Sequence, residues 1–327
     1  MNNLMEVSQW HKQDSTKLKS FMDCPRQYFF RYVLGWTSDA PNVHLIFGKA
    51  VHKAMEVILS NNGAVLPCKP TYDIDVIMEA IQAFLNIYRQ YYNEADDEDN
   101  KPKNPANFER ALFQYVAKYK DIENFDVLHI EVAGSVVVCE TPPRSLFFKQ
   151  DAICRDDIGV FALEHKTGSQ YTSVWARQWR QNVQIGTYSH VLYCMYPIED
   201  VFGVKINGIF VKNEPKKVGG ADNQFERLPI RRTPSQMGDW LYMVNYWLQI
   251  MEREFLALQE CDDSLALLPT FPKNPQACTK YFGCPYLDFC EAWLNPLQHC
   301  KEPPIGFVVE HWDPEKEFAD AKEVVTL

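Results

Sequence analysis

Apolar and aromatic positions recur at helical spacing through CPRQYFFRYVLGW. Residues 16–34 are therefore predicted as a helix, with Ser15 or Thr16 available as its cap. The same period marks FGKAVHKAMEVILS, about residues 47–60, and the stretches 73–92 and 106–123. Between the last two lies EADDEDNKPKNPA, whose charges and prolines read as a solvated linker or insertion tip. From residue 126 the pattern changes. DVLHIEVAGSVVV, SLFFKQDAICRD and VFALEHKTG are β-branched or aromatic and roughly alternating, with DDIG as a turn before the third. An antiparallel three-strand meander is predicted.

A helix over 172–195 follows, then VFGVKINGIFV as a strand, the loop NEPKKVGGADNQ and the short strand FERLPI. Thr233 and Pro234 place a capping hydroxyl before a proline at the first helical position, which opens a helix to about residue 260. The rest is short-element chain rich in proline and cysteine, with no internal repeat. This order predicts an α/β core, with helices on its faces and a helical N-terminal portion around it.

Charge narrows the functional classes. The 327 residues carry 33 Lys and Arg against 43 Asp and Glu, a net charge of −10. A polycation that coats nucleic acid is excluded, so any such contact must come from a local patch or a bound metal. No apolar run approaches the ~18 residues needed to cross a membrane, and MNNLMEVSQWHKQD lacks the apolar stretch of a signal peptide. A cytoplasmic protein is expected, in which the ten cysteines are mostly reduced and clustered ones read as metal ligands before bridges.

Two acids and a lysine attract attention in the meander. Asp151 ends one apolar strand, and Glu164 and Lys166 end the next. Two residues apart on a strand, Glu164 and Lys166 project to one face, and a hairpin brings Asp151 beside them. Buried charges are costly unless paired or bound to metal. The alternatives are a surface ion-pair cluster and a site for Mg²⁺ or Mn²⁺ with Asp151 and Glu164 as hard oxygen ligands. In the second case Lys166 orients or activates a water. On the next helix Gln184 and Tyr188 are four apart, with Arg177 and Gln181 continuing the stripe, a surface suited to phosphate and nucleotide. Upstream, His52 and Glu56 are also four apart on an apolar helix, where His52 is either a core residue or a metal ligand. Arg177, Arg180, Arg231 and Arg232 are candidate phosphate contacts.

Cys278, Cys284 and Cys290 lie in CTKYFGCPYLDFC with five residues in each gap, a credible ligand loop for zinc or an iron–sulfur cluster. Cys24, Cys300 and His299 compete as the fourth ligand, and spacing leaves the choice open.

Taken in chain order, Cys24 in CPRQYFFRY, His52, Asp151, Glu164-His165-Lys166, Gln184-x-x-x-Tyr188 and the three later cysteines resemble the RecB-like nucleases of the PD-(D/E)XK superfamily. The likeness is to their iron–sulfur branch: CRISPR-associated RecB-like exonucleases, the AddB nuclease domain and phage-encoded exonucleases. It covers about residues 16–293. It implies a mixed central β-sheet flanked by helices in a restriction-endonuclease-like core. It also implies a helical portion over 1–125, a nuclease core over 126–262 and a cysteine-cluster segment with tail over 263–327, packed as one composite domain. His52, Asp151 and Glu164 would bind Mg²⁺ or Mn²⁺, Lys166 would be catalytic, and Gln184 and Tyr188 would position DNA. Cys24, Cys278, Cys284 and Cys290 would hold a [4Fe–4S] cluster, with zinc as the minority option because both gaps are five. Phe-Lys-Gln before Asp151 departs from the Gly-x-x-Asp context of relatives.

The activity implied is metal-dependent DNA hydrolysis, by an exonuclease acting on ends or single strands in recombination, repair or CRISPR adaptation. The alternative is a non-catalytic DNA-binding iron–sulfur subunit of such a complex. A helicase, an annealing protein or a CRISPR-adaptation protein would be a fitting partner. No G-x-x-x-x-G-K-[ST] loop marks a fused motor, and no helix-turn-helix or zinc finger marks a sequence reader.

Overall fold

The computed structural model describes residues 10–327 apart from 62, 219, 281 and 282, together with the backbone alone of 317 and 320. Most of the signal-peptide reading thus falls on residues 1–9, outside the described residues. The helices are α1 (Ser15–Asp23), α2 (Pro25–Tyr28), α3 (Val43–Leu59), α4 (Ile74–Tyr88), α5 (Pro105–Tyr119), α6 (Ser173–Arg177), α7 (Val183–Met195), α8 (Pro234–Gln259) and α9 (Leu287–Ala292). The strands are β1 (Trp36–Ser38), β2 (Asp126–Cys139), β3 (Arg144–Arg155), β4 (Val160–Gly168), β5 (Val201–Phe210), β6 (Gln224–Ile230), β7 (Phe307–Val309) and β8 (Glu323–Thr326). Six of the strands form one mixed sheet in the order β6-β5-β4-β3-β2-β8, flanked by helices in an α/β arrangement. Among the described residues no helix is long and apolar enough to cross a membrane.

The chain divides into two compact units. One comprises Pro41–Gly134, Lys149–Thr233 and Asp320–Leu327. Its β3–β4 hairpin is as the alternation predicts, and β2 lies beside β3 in the sheet. β3 and β4 pair antiparallel from Ala152↔Leu163 to Arg155↔Val160, and β5 then runs parallel to β4 with Glu164↔Ile206 and Lys166↔Gly208. Helices α3, α4 and α5 bury a shared aromatic core in which Phe84 stacks on Phe108 at 4.0 Å and meets Phe47 edge-on. The charged stretch before α5 is largely solvent-facing, as read, and is tied down locally. Asn93 and Asp96 form a capping box, Arg89 grips Asp97 through both carboxylate oxygens, and Lys103 and Asn104 are buried.

The helix expected over 172–195 is two. α6 ends at Arg177, and Asn182 caps α7 by accepting from Gln184 N. The buried Arg232 guanidinium donates to the Arg180 and Asn182 carbonyls at 3.0 Å each, which holds the break. Arg232 is therefore spent on the backbone. The C-terminal tail also returns to the sheet as β8. A Cβ on Gly134 would stand 1.8 Å from the Val325 carbonyl oxygen, so only glycine admits β8 at that point on β2.

The other unit comprises the segment ending at Ala40, Ser135–Phe148 and Pro234–Ala319. The helix expected over 16–34 breaks at Cys24, whose extended backbone separates α1 from α2, and it finishes as a π turn over Phe29–Val33. Asp14 rather than Ser15 or Thr16 is the cap, accepting from Thr16 N and Lys17 N. Phe21, Tyr28, Phe29, Phe255 and Phe271 form an aromatic core, with Tyr28 stacked on Phe271. Arg26 ties α2 to the later chain through the carbonyls of Leu268, Thr270 and Phe271.

Candidate active site and thiol cavity

The antiparallel register Ala152↔Leu163 sets Asp151 and Glu164 across from one another, one step further along. α3 brings His52 to this point, with Nδ1 2.9 Å from Asp151 Oδ1. The other Asp151 oxygen accepts the His165 backbone N–H at 2.7 Å. Lys166 Nζ pairs with Glu164 Oε1 at 2.6 Å, as the two-residue strand spacing requires. Glu164 Oε2 is buried and has no hydrogen-bond partner.

The two acids are driven apart in proton affinity. Burial, then the neighbouring Asp151 charge, pushes Glu164 up to about 7. Burial would also raise Asp151, but the His52 charge and hydrogen bond, with the His165 N–H, hold it well below the usual carboxylate range. His52 shows the reciprocal effect: burial opposes its charge, and Asp151 raises it overall. A buried carboxylate oxygen without a partner, beside a second carboxylate and an imidazole, is a donor set that a hard divalent cation fits. Among the described residues, no three His, Cys, Asp or Glu side chains stand preassembled as a metal-ligating group.

Gln184 and Tyr188 reach the same neighbourhood. Gln184 Nε2 donates to the Tyr188 hydroxyl at 2.9 Å, and that hydroxyl donates to the Lys149 carbonyl on β3. Gln150 Nε2 returns a bond to the Tyr188 carbonyl at 3.2 Å. Tyr188 is 3% exposed, so its contacts are with the strand that carries Asp151. Arg177 lies on α6, separate from that stripe, and Glu56 pairs with Lys53 and Lys322.

A buried network behind β4 escaped the sequence reading. Asn207 Nδ2 lies 2.7 Å from His165 Nδ1 and donates to the Tyr115 hydroxyl at 3.1 Å. Arg227 donates to Asn207 Oδ1 and, at 2.6 Å, to the Tyr115 hydroxyl, and it pairs with Glu123. Burial pushes His165 down to about 3, so its imidazole is neutral. These residues fix the side chain of His165, whose backbone N–H holds Asp151. Their only sequence signal is a polar residue at an otherwise apolar position of β5.

In the other unit, Cys24, Cys278, Cys284 and Cys290 line one cavity of about 200 Å³ with Phe30 and Tyr286. The Asn274 N–H donates to Cys24 Sγ at 3.4 Å, and the Cys284 N–H to the Cys278 carbonyl. Burial, and then the neighbouring thiols, push Cys284 up. Cys300 Sγ instead donates to the Leu297 carbonyl, and His299 stacks on Trp293 at 4.6 Å; neither lines the cavity. The four thiols share one cavity but, among the described residues, are not preassembled as a ligating group; a soft metal or an iron–sulfur cluster would have to draw them together.

A family model described as the PD-(D/E)XK nuclease superfamily matches residues 15–291. No curated protein matches the chain.

Proposed function

We propose, on the premise that the chain belongs to the PD-(D/E)XK nuclease superfamily, that it is a metal-dependent deoxyribonuclease, an exonuclease acting on DNA ends or single strands. The observation that carries this reading is the partnerless Glu164 Oε2, buried beside Asp151 with Lys166 on the neighbouring oxygen. His52, Asp151 and Glu164 would hold Mg²⁺ or Mn²⁺. When bound, such an ion polarises the phosphodiester and acidifies a water. Lys166 offsets charge developing on the phosphate and orients the attacking water by donating a hydrogen bond. The Glu164 ion pair aims that ammonium, and Tyr188 and Gln184 hold β3, and with it Asp151, in place.

In the same reading Cys24, Cys278, Cys284 and Cys290 hold a [4Fe–4S] cluster that joins α2 to the C-terminal segment as a structural pin, with zinc the alternative. Iron and acid-labile sulfide in protein purified without oxygen support the cluster; zinc alone refutes it. The activity is tested with end-labelled linear DNA and circular DNA, each with and without Mn²⁺. Mononucleotides released from linear DNA alone, and lost in Lys166→Ala, support an exonuclease. Intact substrates throughout, with wild type and variant indistinguishable, refute the enzymatic reading.

A further inference from the structure

Just beyond Lys166 the chain carries three aromatic residues four apart: Tyr171, Trp175 and Trp179. They form a ladder. Tyr171 and Trp175 have ring centroids 5.7 Å apart, and Trp175 and Trp179 are 5.5 Å apart. Phe210, fully buried on β5, supports the ladder from beneath, meeting Trp175 edge-on at 4.8 Å and Tyr171 at 5.8 Å. Two strands make room for it with glycine. A Cβ on Gly208 would come within 2.8 Å of both Trp175 and Phe210, and one on Gly168 within 2.9 Å of Phe210. The last rung reaches the candidate active site, with Lys166 Nζ 5.6 Å from the Trp179 ring centroid.

This is not a closed core. Phe210 is buried, but Tyr171, Trp175 and Trp179 are each only half-buried, and Val174 among them is 76% exposed. Arg177 and Arg180, both exposed, lie on the same segment, where phosphates of a strand running along the ladder would pass. Aromatic faces next to cationic side chains stack nucleobases with little regard to sequence, and a base can stack there only when it is unpaired.

We propose that Tyr171, Trp175 and Trp179 form a nucleobase subsite that takes unpaired bases of a DNA strand, with Trp179 stacking the base nearest the scissile phosphate. The proposal rests on the nuclease reading for the position of that phosphate. The subsite is distinct from the carboxylates and acts on binding. A strand with a free single-stranded tail is therefore held in preference to blunt duplex.

The test is equilibrium binding in EDTA, where cleavage is absent. It uses single-stranded oligonucleotides with 2-aminopurine at successive positions, matching strands with an abasic residue, and blunt duplex. Trp179→Ala is expected to bind intact single strands about tenfold more weakly, to abolish the 2-aminopurine quenching at one position, and to leave duplex binding unchanged. Trp179→Phe keeps a stacking face and is expected to restore most of the affinity. Equal binding of intact and abasic strands by wild type, or unchanged quenching in Trp179→Ala, overturns the subsite. Cleavage by wild type in a parallel Mn²⁺ reaction would then leave the nuclease reading standing. Position-specific quenching without cleavage would instead support the subsite and remove the catalytic reading.

Discussion

His52 Nδ1 on α3 lies 2.9 Å from Asp151 Oδ1 on β3, a contact between positions 99 apart in the chain. It makes the helix and the strand report to the same carboxylate. His52→Ala leaves Asp151 with the His165 N–H alone. Mn²⁺ affinity, followed by calorimetric titration, is expected to fall at least about tenfold, with the fold intact by circular dichroism. Unchanged affinity would remove His52 from the ligand set.

Lys166 is expected to act on the reaction rather than on the metal. Lys166→Ala should slow DNA cleavage by about a hundredfold or more while Mn²⁺ binding persists, because Asp151 and Glu164 both remain as oxygen ligands and the cation itself takes over the charge that Lys166 supplies to Glu164. Cleavage at the wild-type rate would deny the lysine any catalytic part.

Asn207 is 0% exposed and links His165 to Arg227. Asn207→Leu removes the acceptor that Arg227 uses on β5, and the amide that donates to the buried Tyr115 hydroxyl and meets His165 Nδ1. The variant is expected to lose about 2–4 kcal/mol of stability in urea denaturation and to cleave about tenfold more slowly well below its melting temperature. A stable variant of normal rate would show that the network has no hold on the site.

Lys103 is buried in the aromatic core, its Nζ 4.7 Å from the centre of the Phe47 ring, and burial pushes it down to about 8. An unfolded lysine titrates near 10.5. Between those values the unfolded chain binds the extra proton, so stability rises with pH there, and below about 8 the full penalty is present. Lys103→Met is therefore expected to be more stable than wild type at pH 7, by about 1–3 kcal/mol, with the advantage shrinking between about pH 8 and 10.5. Identical differences at both pH values would contradict a charge penalty.

Gly134→Ala places a methyl on the Val325 carbonyl. β8 should detach from β2, and amide hydrogens of residues 323–326 should exchange at the rate of free chain. Persistent protection there would mean that β2 shifts to accommodate the methyl.

Strands β2 to β6, the order of the long helices, and the convergence of Asp151, Glu164 and Lys166 were legible because each follows from a short-range period or one turn. What was missed is tertiary. The break between α6 and α7 falls in the polar run RQWRQN, where no glycine or proline marks it, and is held by Arg232, some 50 residues later. β8 is four residues long, and its place depends on a glycine in β2. Asn207, Arg227, Tyr115 and Glu123 come from distant elements, so no local spacing marks them as a set. Spacing likewise left Cys24, Cys300 and His299 equal, whereas the fold puts only Cys24 in the thiol cavity.

The Asn274 N–H meets Cys24 Sγ across 250 positions of chain. At roughly 5–20 residues per second of synthesis, Cys24 leaves the ribosome tens of seconds before the chain that will enclose it exists. Through that interval the sulfur is open to any oxidant or stray ion in the cell. Assembly of this corner of the molecule is thus a race between translation and thiol chemistry, and slow translation or oxidative stress should lower the yield of correctly closed protein before any mature copy is damaged.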